Sequence, residues 1–153
     1  MASTHSPGPG VASRTNIQKA ALAVGAVFLL VGVLGFIPGV TTDFGELSFA
    51  GPESHAHLLG IFQVSILHNI VHLLFGIAGV TMAKTAAGAY NFLLWGGIIY
   101  AVLFVYGLVV PEESSANFVP LNLADDLLHL VLALGMIGLA FALKDKHRTV
   151  RGR

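Results

Sequence analysis

The chain has no cysteine, which excludes disulfides, thiolate metal sites and cysteine nucleophiles and leaves any metal to His, Asp, Glu or Asn. Charge is scarce too. Only 10% of the 153 residues are Asp, Glu, Lys or Arg, against about 25% in soluble domains. There is no glycine-rich phosphate loop, so nucleotide-driven transport within this chain is not expected. No nucleophile-elbow motif surrounds Ser114 and Ser115, and no internal repeat is visible. What is present is apolar: 55% hydrophobic residues and a mean hydropathy of +0.79. That composition belongs to an integral membrane protein.

Four apolar runs stand out, at 20–37, 58–83, 90–110 and 127–143. Each approaches or exceeds the roughly 18 to 20 residues a helix needs to cross about 30 Å of hydrocarbon. None shows the polar/apolar alternation of a barrel strand, so each is read as a helix that satisfies its own backbone. The fold expected is all-α, a four-helix membrane bundle over 14–143. The fourth run borrows a turn and starts near 124. Residues 1–13 are rich in Ser, Pro and Gly and read as a disordered tail, and 144–153 as a basic tail. The first run is long and no small-x-small cleavage site follows Phe36-Ile37-Pro38-Gly39, so it reads as an uncleaved anchor.

Charge placement orients the helices. Arg14, Lys19, Lys84 and the five basic residues after the fourth run account for all 8 Lys and Arg. They fall on one side. The connections at 38–57 and 111–126 hold Asp43, Glu46, Glu53, Glu112, Glu113, Asp125 and Asp126, with no Lys or Arg. The positive-inside rule then places both termini in the cytoplasm and these two loops outside, in a plasma membrane. Topology accounts for the basic C-terminal tail, so no nucleic-acid partner is inferred. The partner expected is the lipid bilayer, with a membrane-protein partner or a second copy also compatible.

Within the second run stands His68-Asn69-x-x-His72, and at the head of the fourth Asp125-Asp126-x-x-His129. Polar side chains inside a membrane segment are costly and normally face the protein interior. Ser65, His68, Asn69, His72, Gly76 and Gly79 recur every three or four residues and share one helix face. On the first run Gly25, Gly32 and Gly35 form a comparable stripe. Small residues let helices approach closely in lipid, so Gly25, Gly32, Gly35, Gly76 and Gly79 read as packing positions. Asn122-x-x-Asp125 resembles a helix N-cap with an acid three residues on, and marks the start of the fourth helix. Counted from Leu58, His68 lies about 15 Å deep, near the midplane, with His129 above it. The candidate site is thus an outer-half polar core of His68, Asn69, His72, Asn122, Asp125 and His129.

Two chemistries compete for this core. The preferred one is structural: interhelical hydrogen bonds, worth about 0.6 kcal/mol each in membranes, tie the second helix to the loops and the fourth helix, with no catalytic residue and no cofactor. The alternative is a metal- or haem-binding redox or transport component. His68 and His72, at i and i+4, would share a metal ion with His129 or Asp125, or would supply an axial haem ligand opposite His129. A di-iron centre is a poor fit, because no Glu lies in the apolar runs. A proton relay is also disfavoured, because no further titratable side chain follows His72 before Lys84.

Three strings, 28–39 (FLLVGVLGFIPG), 60–72 (GIFQVSILHNIVH) and 116–125 (ANFVPLNLAD), closely resemble the actinobacterial membrane family known as domain of unknown function 4383. The resemblance runs from about Arg14 to Leu143. It implies a small four-span protein of the cell envelope and carries no particular activity. Its Leu-His-Asn-x-x-His string falls on Leu67 to His72, and its Asn-Phe-x-Pro-x-Asn-x-x-Asp string on Asn117 to Asp125. The family often has Asn at the position of Asp126, which makes Asp126 a weaker site candidate than Asp125.

Overall fold

The computed structural model describes residues 13–144; apart from residues 13 and 144, the two expected tails lie outside the described residues. Four helices form the body: α1 (Asn16–Leu34), α2 (Ile66–Met82), α3 (Ala86–Val109) and α4 (Leu123–Ala142). By length and composition α1, α3 and α4 can cross a membrane. At 17 residues α2 is shorter, about 25 Å long.

The second apolar run does not become one long helix, because its first residues pair as strands. Strands β1 (Thr41–Thr42), β2 (His57–Leu58) and β3 (Phe62–Gln63) form an antiparallel sheet in the order β1-β2-β3. The reversal between β2 and β3 needs positive φ at two consecutive residues, Leu59 (56°) and Gly60 (71°). Gly60 adopts this freely, whereas Leu59 is sterically disfavoured there. A left-handed pair cannot continue a right-handed helix, so α2 begins only at Ile66. A 3-10 turn at Phe44–Glu46 completes this small cap over one end of the bundle.

The cap closes the start of α2 by meeting its orphan donors. The N–H groups of Ile66 and Leu67 donate to the carbonyls of Ser48 (3.0 Å) and Phe49 (2.9 Å). That of His68 donates to Ser65 Oγ (3.1 Å). A helix start buried without such partners would be costly. At the opposite, tail end, Gln18 does comparable work. Its Oε1 accepts from the Thr15 N–H (3.0 Å), and its Nε2 donates to the carbonyls of Ala83 (3.1 Å) and Lys84 (2.9 Å). The start of α1 is thereby fastened to the short turn between α2 and α3.

α1 packs most extensively on α2, and α3 on α4; α1 also bridges to α3 but barely touches α4. Glycines set the α1–α2 distance. A Cβ on Gly25 would lie 2.8 Å from the Val80 nitrogen, and one on Gly76 2.6 Å from the Leu29 nitrogen and 2.8 Å from the Gly25 oxygen. No side chain fits such a backbone-to-backbone approach. Gly32 lies against Leu73, and Gly79 against Phe92 and Gly25. Leu93, Met136, Phe92, Phe28 and Tyr100 fill the interior, while Leu30, Leu74, Trp95, Val102, Leu134 and Phe141 point outward. Large apolar side chains on the outside of an apolar bundle suit hydrocarbon rather than water.

Candidate functional site

The cap end of the bundle holds the buried polar side chains. α4 starts with a reciprocal capping box: Asn122 Oδ1 accepts from the Asp125 N–H (3.0 Å), and Asp125 Oδ2 accepts from the Asn122 N–H (3.1 Å). Asp125 does more than cap. The same Oδ2 accepts from the backbone N–H of Gln63 in β3 (3.0 Å), and Asn122 Nδ2 donates to the Ile61 carbonyl (2.8 Å). A third bond runs from the Gly51 N–H to the Phe118 carbonyl (2.8 Å). Together they latch the cap, which belongs to the α1–α2 connection, onto the α3–α4 connection and the head of α4. Asp125 is 2% exposed, so its bonds form out of water, where a lost partner costs most.

The imidazoles lie below this latch and take little part in it. His68 is the third residue of α2 rather than the eleventh of a longer span. The midplane depth counted from Leu58 is therefore corrected: His68 sits about 3 Å into the helix and His72 about 9 Å, level with His129, the seventh residue of α4. His72 Nδ1 lies 2.9 Å from the His68 carbonyl, a bond within its own helix. His68 Nδ1, Asn69 Nδ2 and His129 Nδ1 are buried with no hydrogen-bond partner among the described residues. Asn69 packs its carboxamide on Gly35, where any Cβ would collide with it. Asn69 thus meets α1 by contact, and the side-chain hydrogen bonds that join the cap to the head of α4 come from Asn122 and Asp125.

Aromatic rings join the three imidazoles. The His68 and His72 rings lie 4.5 Å apart, His72 and Phe28 5.6 Å, Phe28 and Tyr100 5.4 Å, and Tyr100 and His129 5.1 Å, as ring centroids. Phe75 sits edge-on to both Phe28 and Tyr100. The row runs through α2, α1, α3 and α4 in turn. Phe28, Phe75 and Tyr100 are as much part of this core as the His residues. Helical spacing within one run does not reveal that Phe28 of α1 and Tyr100 of α3 meet.

Among the described residues, no group of three or more His, Asp or Glu side chains is placed to hold a metal ion. The metal site that the alternative reading assigns to His68, His72, His129 and Asp125 does not assemble among the described residues. Asp125 Oδ2 is committed to two backbone N–H groups, and His72 Nδ1 faces its own helix.

Asp126 is a further polar member. It is 6% exposed, Oδ1 has no partner among the described residues, and its carboxyl rests on Gly107 of α3. An acid beside a glycine of another helix follows from tertiary packing alone. Ser54 and Gln63 also contribute, with Ser54 Oγ donating to the Val64 carbonyl (2.7 Å) and Gln63 Nε2 to the Ser54 carbonyl (2.8 Å).

A helical bundle with an apolar exterior and its polar side chains turned inward defines a multi-pass membrane protein. Residues 18–142 match the family described as Domain of unknown function (DUF4383), and the chain belongs to it. No solved structure matches it.

Proposed function

We propose that this is a structural or interaction protein of the plasma membrane, with four membrane-crossing helices and both termini in the cytoplasm. The cap would then face outward, held in one shape by the polar core beneath it. The observation that carries this reading is the Asp125 latch: one carboxyl oxygen accepts from the backbone of both Asn122 and Gln63. Both bonds go to main-chain groups, which suits an anchor for a loop better than a reactive centre. The orientation rests on the basic residues: Arg14, Lys19, Lys84 and Lys144 lie at the helix ends away from the cap.

Two measurements test the reading. Because the chain has no cysteine, single cysteines at His55 and at Lys84 report topology directly in intact cells. A membrane-impermeant maleimide is expected to label the first and not the second; the reverse pattern would overturn the orientation. Purified protein, alongside Asp125→Ala, is then analysed for metals and visible absorbance and melted in detergent. A lower melting temperature for the variant supports the anchoring role. A stoichiometric metal or haem that is lost with His68 or His72 would replace it with a redox or transport reading.

A further inference from the structure

The C-terminal end of α3 is negative and has no counter-charge of its own. The N–H that would pair with the Gly107 carbonyl belongs to residue 111, which is proline and has none. The Leu108 and Val109 carbonyls likewise accept no backbone hydrogen bond among the described residues, and no basic side chain stands in the last turn. Such unpaired carbonyls carry the negative end of the helix dipole and favour a cation. A pocket of about 280 Å³ opens between this end of α3 and the start of α4, with Gly107, Leu108, Val109, Glu112, Asn122 and Asp126 among its lining residues. Most of the surface it exposes is polar, and no Lys, Arg or His lines it. Asp126 is the buried acid of this lining. It is 6% exposed, its Oδ1 has no partner among the described residues, and the carboxyl occupies the space beside Gly107. Glu112 is near enough for its charge to act on that carboxyl. A buried carboxylate left unpaired in this way is costly.

We infer that this pocket binds a protonated primary amine, whose N–H groups donate to Asp126, Glu112 and the carbonyls at the end of α3. An ammonium group carries only donors and imposes no fixed polyhedron on its acceptors. A metal ion fits less well. Calcium takes about 6 to 8 oxygens and magnesium a near-ideal octahedron, whereas no group of three His, Asp or Glu side chains is placed to hold a metal among the described residues. A quaternary ammonium has no N–H to donate and is recognised by aromatic faces, which this lining lacks. Leu108, Val109 and Leu123 add strongly exposed apolar side chains to the lining, so the acids are within reach of a lipid headgroup as well as of a soluble amine. The site is separate from the latch: Asp125 Oδ2 is committed to Gln63 and Asn122, while the Asp126 carboxyl rests on α3.

The test follows melting of the full chain in detergent as two matched pairs are titrated in. One pair is phosphatidylethanolamine and phosphatidylcholine with the same acyl chains; the other is ethanolamine and choline. Within each pair methyl groups replace the ammonium hydrogens, and the positive charge is kept. In at least one pair the amine is expected to stabilise at a concentration about tenfold or more below its methylated counterpart, as a hydrogen bond to a charged group would give. A preference in the lipid pair assigns a headgroup, and one confined to the soluble pair assigns a free amine. Asp126→Asn, which keeps the shape and removes the charge, should abolish the preference. Glu112→Gln, at an exposed position, should reduce it about threefold, and it keeps the test open if Asp126→Asn does not fold. No preference in either pair, or an undiminished preference in folded Asp126→Asn, would overturn the inference. Stabilisation by calcium chloride that exceeds that of every amine and vanishes in Asp126→Asn would also overturn it, in favour of a metal.

Discussion

The cap joint and the α1–α2 seam of this bundle are held together by opposite means. At the cap end the joints are directional: Asp125 and Asn122 reach the backbone of Gln63 and Ile61, and buried polar atoms accumulate around them. Toward the tail end the α1–α2 seam is made by absence, with Gly25, Gly76 and Gly79 letting backbones meet where no side chain fits. In hydrocarbon there is little hydrophobic gain in joining two apolar helices, so packing and hydrogen bonds must supply the attraction. This protein relies on hydrogen bonds at the cap and on close packing along the α1–α2 seam, with Gln18 adding two bonds at the tail end. A cap made of loop can be fixed only by groups that recognise backbone, whereas a helix seam needs only proximity.

The sharpest way to break the comparison is at the seam. Gly76→Leu forces a side chain between Leu29 and Gly25 and is expected to cost about 3 kcal/mol, the upper part of the overpacking range, read as a lower midpoint in detergent-denaturant unfolding. Next comes the latch. Asp125→Ala leaves the Gln63 and Asn122 N–H groups without their acceptor and should cost about 2 kcal/mol. Its signature is local, with amide exchange in 41–63 accelerating more than that of Gly76–Met82. Gln18→Ala removes the two bonds to the α2–α3 turn and should cost about 1 kcal/mol, with exchange rising near Ala83 rather than in the cap. The smallest effect is expected from His129→Phe. That change keeps a ring against Tyr100 and deletes a buried nitrogen that has no partner among the described residues, so stability should move by no more than about 0.5 kcal/mol. A loss as large as that of Asp125→Ala would mean that the imidazole takes part in the latch.

Much of this fold was readable before any coordinates. Four helices follow from four apolar runs, and the start of α4 from Asn122-x-x-Asp125, since a capping box is a local motif with fixed spacing. The hairpin from His57 to Gln63 was not readable as such. Leu58-Leu59-Gly60-Ile61-Phe62 is apolar enough to continue a helix, and hydropathy does not sense the backbone sign that Leu59 and Gly60 adopt. That one misplacement carried His68 to the midplane, because depth was counted from the wrong residue. The core was half visible. Its members could be named from helical faces, but the partners of Asp125 are main-chain N–H groups of a distant loop, which no side-chain pattern reveals. The aromatic row through Phe28 and Tyr100 depends on how four helices are set against one another, which spacing within each helix leaves open.

The latch also has a place in time. The cap and both of its flanking helices are complete once Met82 has been synthesised, yet Asp125 and Asn122 lie some 40 residues further along the chain. At the usual rates of about 5 to 20 residues per second, the ribosome needs a few seconds to make that stretch. Through that interval α1 and α2 are joined by their glycine seam, the Gln18 bonds to Ala83 and Lys84 and the strand pairing of the cap, and the Gln63 N–H waits without its acceptor. These contacts must therefore hold first without α4, and the arrival of α4 is the event that closes the cap.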